Sequence, residues 1–248
     1  MEAYALTDTG RVRTMNQDYI YSSPERTGSL PDLFLVADGM GGHQAGDYAS
    51  RFAVENLVIY INREGEGSPV MQLKMGISAV NRRLYEESLK REELQGMGCT
   101  LVAGVVEDRT LYVANIGDSR LYLIHGAMIR QVTKDHSYVE EMVALGQMER
   151  GSAAYNSKKN IITRALGIGK EVEPDFFEVD LEEGDYLLLC SDGLSNMVED
   201  EKIREIVTGE GTLKDKAYRL IEEANGRGGC DNIAVVLVNP LGREEVLC

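Results

Sequence analysis

Basic residues are in short supply. Across 248 residues, 26 Lys and Arg stand against 41 Asp and Glu, a formal charge of −15. Proteins whose main partner is nucleic acid or an anionic membrane draw most of their affinity from phosphate neutralisation by Lys and Arg, so this balance argues against both. Long apolar runs are missing too. The longest, such as 57–61 and 233–238, are far too short to cross a bilayer core of about 30 Å. The N-terminus, Met-Glu-Ala-Tyr, lacks the basic-then-apolar pattern of an export signal. Four cysteines, Cys99, Cys190, Cys230 and Cys248, show no Cys-x-x-Cys spacing. The expectation is a cytoplasmic protein with reduced thiols. There is no Pro- or Ser-rich linker and no repeat at a period of 20 to 50 residues, so residues 1–240 read as one domain followed by a short tail, 241–248.

What is present is an ordinary globular composition, 43% hydrophobic, with unevenly placed acid. Residues 1–170 hold 19 basic and 21 acidic side chains, whereas residues 171–231 hold 6 and 18. Short segments rich in Val, Leu, Ile or Tyr and mostly bounded by Gly, Asp or Asn predict strands at 3–7, 33–37, 100–107, 111–116, 121–125, 186–190 and 233–238. The three between 100 and 125 follow one another through short polar connections, the pattern of an antiparallel meander. Apolar residues at helical spacing predict long amphipathic helices at 45–62 and 70–90, with shorter ones near 200–207 and 212–225. Clustered strands and paired helices indicate an α+β fold in which helices cover the outer faces of packed antiparallel sheets.

The aspartates form the informative pattern. Asp38 ends one apolar segment (Leu-Val-Ala-Asp-Gly-Met-Gly-Gly), Asp118 a second (Ile-Gly-Asp-Ser-Arg) and Asp192 a third (Leu-Cys-Ser-Asp-Gly), while Asp231 begins a fourth (Asp-Asn-Ile-Ala-Val). Any one of these reads most simply as turn chemistry. Together they suggest more, because carboxylates beside buried strands repel one another unless cations lie between them. Hard divalent ions such as Mg²⁺ or Mn²⁺ suit an all-oxygen set of this kind. No Asp-x-Asp-x-Asp-Gly loop of the calcium type is present.

The ordered motifs Gly10-Arg11-Val12-Arg13-Thr14-Met15-Asn16-Gln17-Asp18, Val36-Ala37-Asp38-Gly39-Met40-Gly41-Gly42, Ala114-Asn115-Ile116-Gly117-Asp118-Ser119-Arg120, Ser191-Asp192-Gly193-Leu194 and Asp231-Asn232-Ile233 resemble the metal-dependent (type 2C) serine/threonine protein phosphatases, especially the short bacterial members. The resemblance spans residues 3 to 240. It implies a four-layer α-β-β-α sandwich, two antiparallel sheets flanked by helix pairs, with a cluster of Mn²⁺ or Mg²⁺ at one end. On that basis Asp38 bridges two ions, Gly39 offers its carbonyl, Asp192 and Asp231 complete the pair, and Asp118 with Asp192 holds a third ion. Arg13 grips the substrate phosphate, Asp18 orients metal-bound water from behind the ligands, and Asn232 stands behind them as well. Two adjacent ions acidify a bridging water that attacks phosphorus with no covalent phospho-enzyme, and a guanidinium can chelate two phosphate oxygens. The implied substrates are phosphoserine and phosphothreonine proteins, and the implied partner is a Hanks-type Ser/Thr kinase. A non-catalytic module on the same fold, or a regulatory phosphatase in a partner-switching pathway, remain the alternatives. No Cys-x5-Arg loop is present, against thiolate attack.

Two positions depart from the family. Gln17 stands where many members have Glu, and Met40 where eukaryotic members carry a His that protonates the leaving oxygen. Water on the third ion is the preferred proton source, with His43 and His136 as fallbacks. His136 otherwise reads as a capping or packing residue, with Asp135 or Ser137 as the N-cap, and His125 has no assigned role. Residues 146–160 read as a long loop, a lid candidate, in which Lys158, Lys159 and Arg150 read as solvated surface; Arg164 reads the same way. Cys190 and Cys230 flank ligand candidates, with alternation placing Cys190 on the face of Asp192; the simpler reading is a small buried apolar residue.

Overall fold

The apolar segments fold as strands covered on both faces. The computed structural model describes residues 1–42 and 45–242; His43 and most of the 241–248 tail lie outside them. Its elements, in chain order, are β1 (Glu2–Asp8), β2 (Asp18–Ser23), β3 (Leu33–Met40), α1 (Ala45–Glu64), α2 (Pro69–Ser88), β4 (Gly98–Cys99), β5 (Leu101–Glu107), β6 (Thr110–Ile116), β7 (Arg120–His125) and β8 (Met128–Gln131). There follow α3 (Tyr138–Ala144), α4 (Ala153–Asn156), β9 (Asp175–Asp180), β10 (Asp185–Cys190), α5 (Asp192–Ser195), α6 (Asp200–Thr208), α7 (Leu213–Gly226) and β11 (Ile233–Asn239).

Two antiparallel sheets result. One has the order β1-β11-β10-β7-β8, the other β2-β3-β5-β6-β9 with β4 paired to β3. Alternation along each strand sends one set of side chains between the sheets and the other toward helices. Phe34, Val36, Val102, Ala234 and Val236 fill the space between the sheets. Leu33, Leu35 and Ala37 meet α1 and α2 residues such as Ala53, Leu57 and Leu73, while Ile233, Val235 and Leu237 meet Ile203, Leu220 and Ala224 of α6 and α7. This is the expected four-layer α-β-β-α sandwich. Burying one such Leu or Phe stabilises the fold by roughly 1.5–3 kcal/mol, and a strand buried on both faces reads as a continuous apolar run. The helices start where their caps allow. Ser68 accepts from Met71 N ahead of Pro69, and Thr212 with Asp215 forms a capping box.

The structure corrects the meander reading. β5 and β6 pair, but β6 pairs onward with β9, and β7 lies in the other sheet between β10 and β8. The chain crosses between sheets at Gly117, whose φ of 97° suits a residue without Cβ. Asp118 sits at this crossover. Three strands carry no strong apolar signal, β2, β8 and β9, and each is a sheet edge whose residues are mostly half-buried or exposed. Residues 146–160 are not a featureless loop, because Ser152 caps the short α4 within them.

Candidate active site

Asp38 lies within β3 rather than beyond its end, directly opposite Asp18 of β2 in the antiparallel register. The Asp38 backbone is fixed by Thr100, whose Oγ1 accepts from Asp38 N at 2.9 Å and whose own N–H donates to Asp38 O at 2.8 Å. Thr100 Oγ1 also contacts Ser119 Oγ at 2.7 Å, tying β3 to the crossover that carries Asp118. Gly39 packs so closely on the start of α1 that a Cβ there would meet Gly46 O at 2.0 Å. No side chain can replace it without moving the helix.

From the other sheet, Asp192 opens α5 just after β10, and Asn196 Nδ2 donates to its Oδ2 at 2.8 Å. Asp231 precedes β11, its Oδ2 accepting from Arg13 at 2.7 Å and its Oδ1 from Asn232 N at 2.8 Å. Asn232 staples the loop that bears Arg13. Its Nδ2 donates to Thr9 O and Met15 O at 2.9 and 2.8 Å, and its Oδ1 accepts from Gln17 N at 2.8 Å. Gln17 O in turn accepts from Gly39 N and Ser50 Oγ.

These residues surround a cavity of about 290 Å³ lined by Arg13, Asp38, Gly39, Asp118, Asp192, Asp231 and Asn232 among others. Asp18 is the exception. It lies buried behind the cavity, where Ser191 Oγ donates to its Oδ2 at 2.6 Å. Sequence reasoning missed Thr100, Asn160 and Ile162 as lining residues. Only Asn160 had a signal, as the last residue of the proposed lid.

Electrostatics dominate the cavity. Burial, reinforced by Asp192 and Asp231, pushes the Asp18 carboxyl up to about 8; burial with Asp192 and Asp135 pushes Asp118 up to about 8. Burial and then Asp18, Asp192, Asp118 and Asp231 drive Asp38 well above the carboxylate range. Asp192 rises to about 6 through burial and Asp231. Asp18 Oδ1 and Asp192 Oδ1 are buried without a hydrogen-bond partner among the described residues. Crowded, partly orphaned carboxylate oxygens fit hard divalent cations, which neutralise the repulsion and take oxygen ligands. Among the described residues no three acidic, His or Cys side chains enclose an ion unaided. That agrees with ions that keep several waters and only a few carboxylates.

Other sequence readings are settled by placement. Ser137 is the N-cap of α3. His136 brackets the Gly117 peptide, its backbone N–H donating to Gly117 O at 2.9 Å and its Nδ1 accepting from Gly117 N at 3.1 Å. It therefore braces the residue before Asp118 and does not line the cavity. His43 lies outside the described residues. Arg150 and Arg164 are paired, not merely solvated: Arg150 binds Glu140, and Arg164 Nη1 donates to Asp175 Oδ1 at 2.8 Å. Cys190 packs in the helix-side core, where burial pushes its thiol up to about 12. The strand ends at Cys190, so alternation does not carry on to Asp192, whose backbone is already helical.

An α-β-β-α sandwich with an aspartate-lined cavity between its sheet ends and an arginine at the rim defines a phosphatase class, and the chain's relatives agree. The family pattern described as protein phosphatase 2C matches residues 9–221. The chain belongs to that family and is a phosphatase. It is 42% identical over 242 residues to protein phosphatase PhpP of Streptococcus pneumoniae, covering 96% of this chain and 97% of PhpP. The solved serine/threonine phosphatase of S. agalactiae matches with a TM-score of 0.89 at 38% identity, over 95% of this chain and 98% of that one. The catalytic domain of the serine/threonine protein phosphatase PstP, solved in complex with two manganese ions, matches with a TM-score of 0.82 at 36% identity, over 95% of this chain and 96% of that one.

Proposed function

We propose that this single-domain protein hydrolyses phosphoserine and phosphothreonine in proteins of the cytoplasm, reversing the work of a Hanks-type Ser/Thr kinase. The observation that carries the reading is the meeting of Asp38, Asp118, Asp192 and Asp231, drawn from both sheets, in one cavity with Arg13 at its rim. Asp38, Asp192, Asp231 and the Gly39 carbonyl would hold two Mn²⁺ or Mg²⁺ ions, and Asp118 with Asp192 a third. When bound, such ions supply Lewis acidity and the positive charge that a phosphate dianion needs.

The chain's own residues do the rest. Arg13 is half-exposed and spends one N–H on Asp231, so its remaining donors can meet phosphate oxygens in a fork. Asn232 holds the Arg13 loop at a fixed height above the carboxylates through its three backbone contacts. Asp18, fastened by Ser191, sets Asp38 from behind. Met40 lines the cavity with a thioether that has no proton to give.

Hydrolysis of a phosphothreonine peptide by wild type, Asp38→Ala and Asp192→Ala, with Mn²⁺ and with chelator, tests this reading. Activity in wild type alone, abolished by chelator, is expected. Equal rates in all three proteins, or rates indifferent to chelator, would overturn it.

A further inference from the structure

Both polar groups of the Gly117 crossover are held by one residue. His136 N donates to Gly117 O at 2.9 Å, and Gly117 N donates to His136 Nδ1 at 3.1 Å. A Cβ at Gly117 would meet the Thr100 side chain at 2.6 Å, so the crossover has no side chain of its own to anchor it. Asn115 Nδ2 reinforces the pairing by donating to Lys134 O at 3.1 Å, and Thr163 N fixes the His136 backbone by donating to its O at 2.8 Å. The His136 side chain is buried.

These contacts decide where the imidazole carries its proton. A ring nitrogen that accepts cannot also carry hydrogen, so with Nδ1 turned to the Gly117 amide the proton of the neutral ring is on Nε2. Asp175 Oδ2 stands 3.2 Å from Nε2, off the line of a full hydrogen bond yet close enough to attract an N–H and repel a bare lone pair. Asp175 is itself held, its Oδ1 accepting from Arg164 Nη1 at 2.8 Å. Asp135, next to His136 in the chain, is engaged with Arg120 and Gln131 instead. Burial keeps the ring's pKa below the ordinary histidine range, against the pull of Asp175. A doubly protonated ring would lose the acceptor that Gly117 needs.

We propose that His136 is a positioning residue for Asp118: a neutral imidazole, protonated at Nε2, whose Nδ1 fixes the Gly117 amide and thereby the point at which Asp118 enters the cavity. The inference rests on the metal reading above for the ion that Asp118 would hold, and on the hydrogen bonds alone for the tautomer. It also removes His136 as proton donor to the leaving oxygen, because the Nε2 proton faces Asp175 and the ring does not line the cavity.

Nitrogen NMR of the metal-free protein labelled in histidine, at neutral pH, reads the tautomer, with the His136 signals identified by their loss in His136→Asn. A neutral ring with hydrogen on Nε2 is expected; hydrogen on Nδ1, or a charged ring, would overturn the proposal. Two variants separate the two ends of the ring. The Asn carbonyl oxygen takes the place of Nδ1 and keeps an acceptor for Gly117, whereas Gln reaches toward the place of Nε2 and leaves the Gly117 amide unpaired. Gly117 amide exchange in the metal-free protein should therefore be about tenfold faster or more in His136→Gln than in wild type or His136→Asn. In calorimetric titration His136→Gln should weaken the weakest Mn²⁺ site by about tenfold or more while the tighter sites stay within about twofold, and His136→Asn should recover most of the loss. Equal losses in both variants, equal weakening at every site, or no change in His136→Gln would each overturn the His136 proposal alone. A wild type that binds no Mn²⁺ would overturn the metal reading, and the nitrogen spectrum and Gly117 exchange would still decide the bracing by themselves.

Discussion

Asp18 and Asp38 stand directly opposite each other across the β2–β3 pair, a buried carboxylate facing a half-buried one in a register where like charges repel. Ser191 Oγ relieves one oxygen of Asp18, while its Oδ1 has no hydrogen-bond partner among the described residues. Such an arrangement is unfavourable by itself and becomes favourable around cations.

Asp18→Asn should therefore weaken Mn²⁺ binding by about tenfold or more, as loss of a residue that orients a ligand commonly does. Calorimetric titration checks it, with far-UV circular dichroism confirming the fold. Unchanged affinity would remove Asp18 from the site.

Arg13 offers a planar fork where Lys offers a point charge. Arg13→Ala should lower kcat/KM on a phosphothreonine peptide by about 100-fold, on the order of 3 kcal/mol. Arg13→Lys should recover only part of the loss. Full recovery by Lys would show that charge alone is needed.

Asp32 lies outside the active site. Its Oδ1 accepts from Val106 N at 2.8 Å, yet burial pushes its carboxyl up to about 7, with Glu107 adding to the rise. A carboxyl raised above its unfolded value favours the folded state while protonated, so this contribution is lost as pH climbs from about 4 through about 7. Asp32→Asn keeps an acceptor for Val106 and removes the ionisation. It should match wild type near pH 4.5 and be more stable by on the order of 2 kcal/mol at pH 8. Urea unfolding in EDTA at both pH values decides it; a difference that does not vary with pH would exclude Asp32 as the cause.

The acidic C-terminal third is largely surface. Glu171, Glu173, Glu182, Glu183, Glu199 and Glu201 are exposed, and their field should slow acidic substrates at a distance. Basic phosphopeptides should react faster than acidic ones at low salt, with the gap closing as salt rises. A preference that ignores salt would show that local contacts choose the substrate.

Reading the chain for apolar runs found strands buried on both faces, such as β3, β10 and β11, and missed the edge strands β2, β8 and β9. An edge strand with one covered face carries fewer apolar residues, so its sequence resembles a loop. The site aspartates were legible because each interrupts or adjoins an apolar strand at a costly place. Thr100 and Ile162 were not, since a Thr before a strand and an Ile in a loop have many ordinary uses.

The sequence by itself determined the layers, through apolar periodicity, and the family, through five motifs in order. Only the tertiary structure decided where the chain changes sheets, so that what reads as a meander ends at Gly117 and delivers Asp118 to the cavity. Only it showed that His136 braces the crossover. The physical reason is the same throughout. Local patterns fix which face of an element is apolar, but which face meets which is decided by long-range packing, and that packing brings carboxylates far apart in the chain close enough to repel.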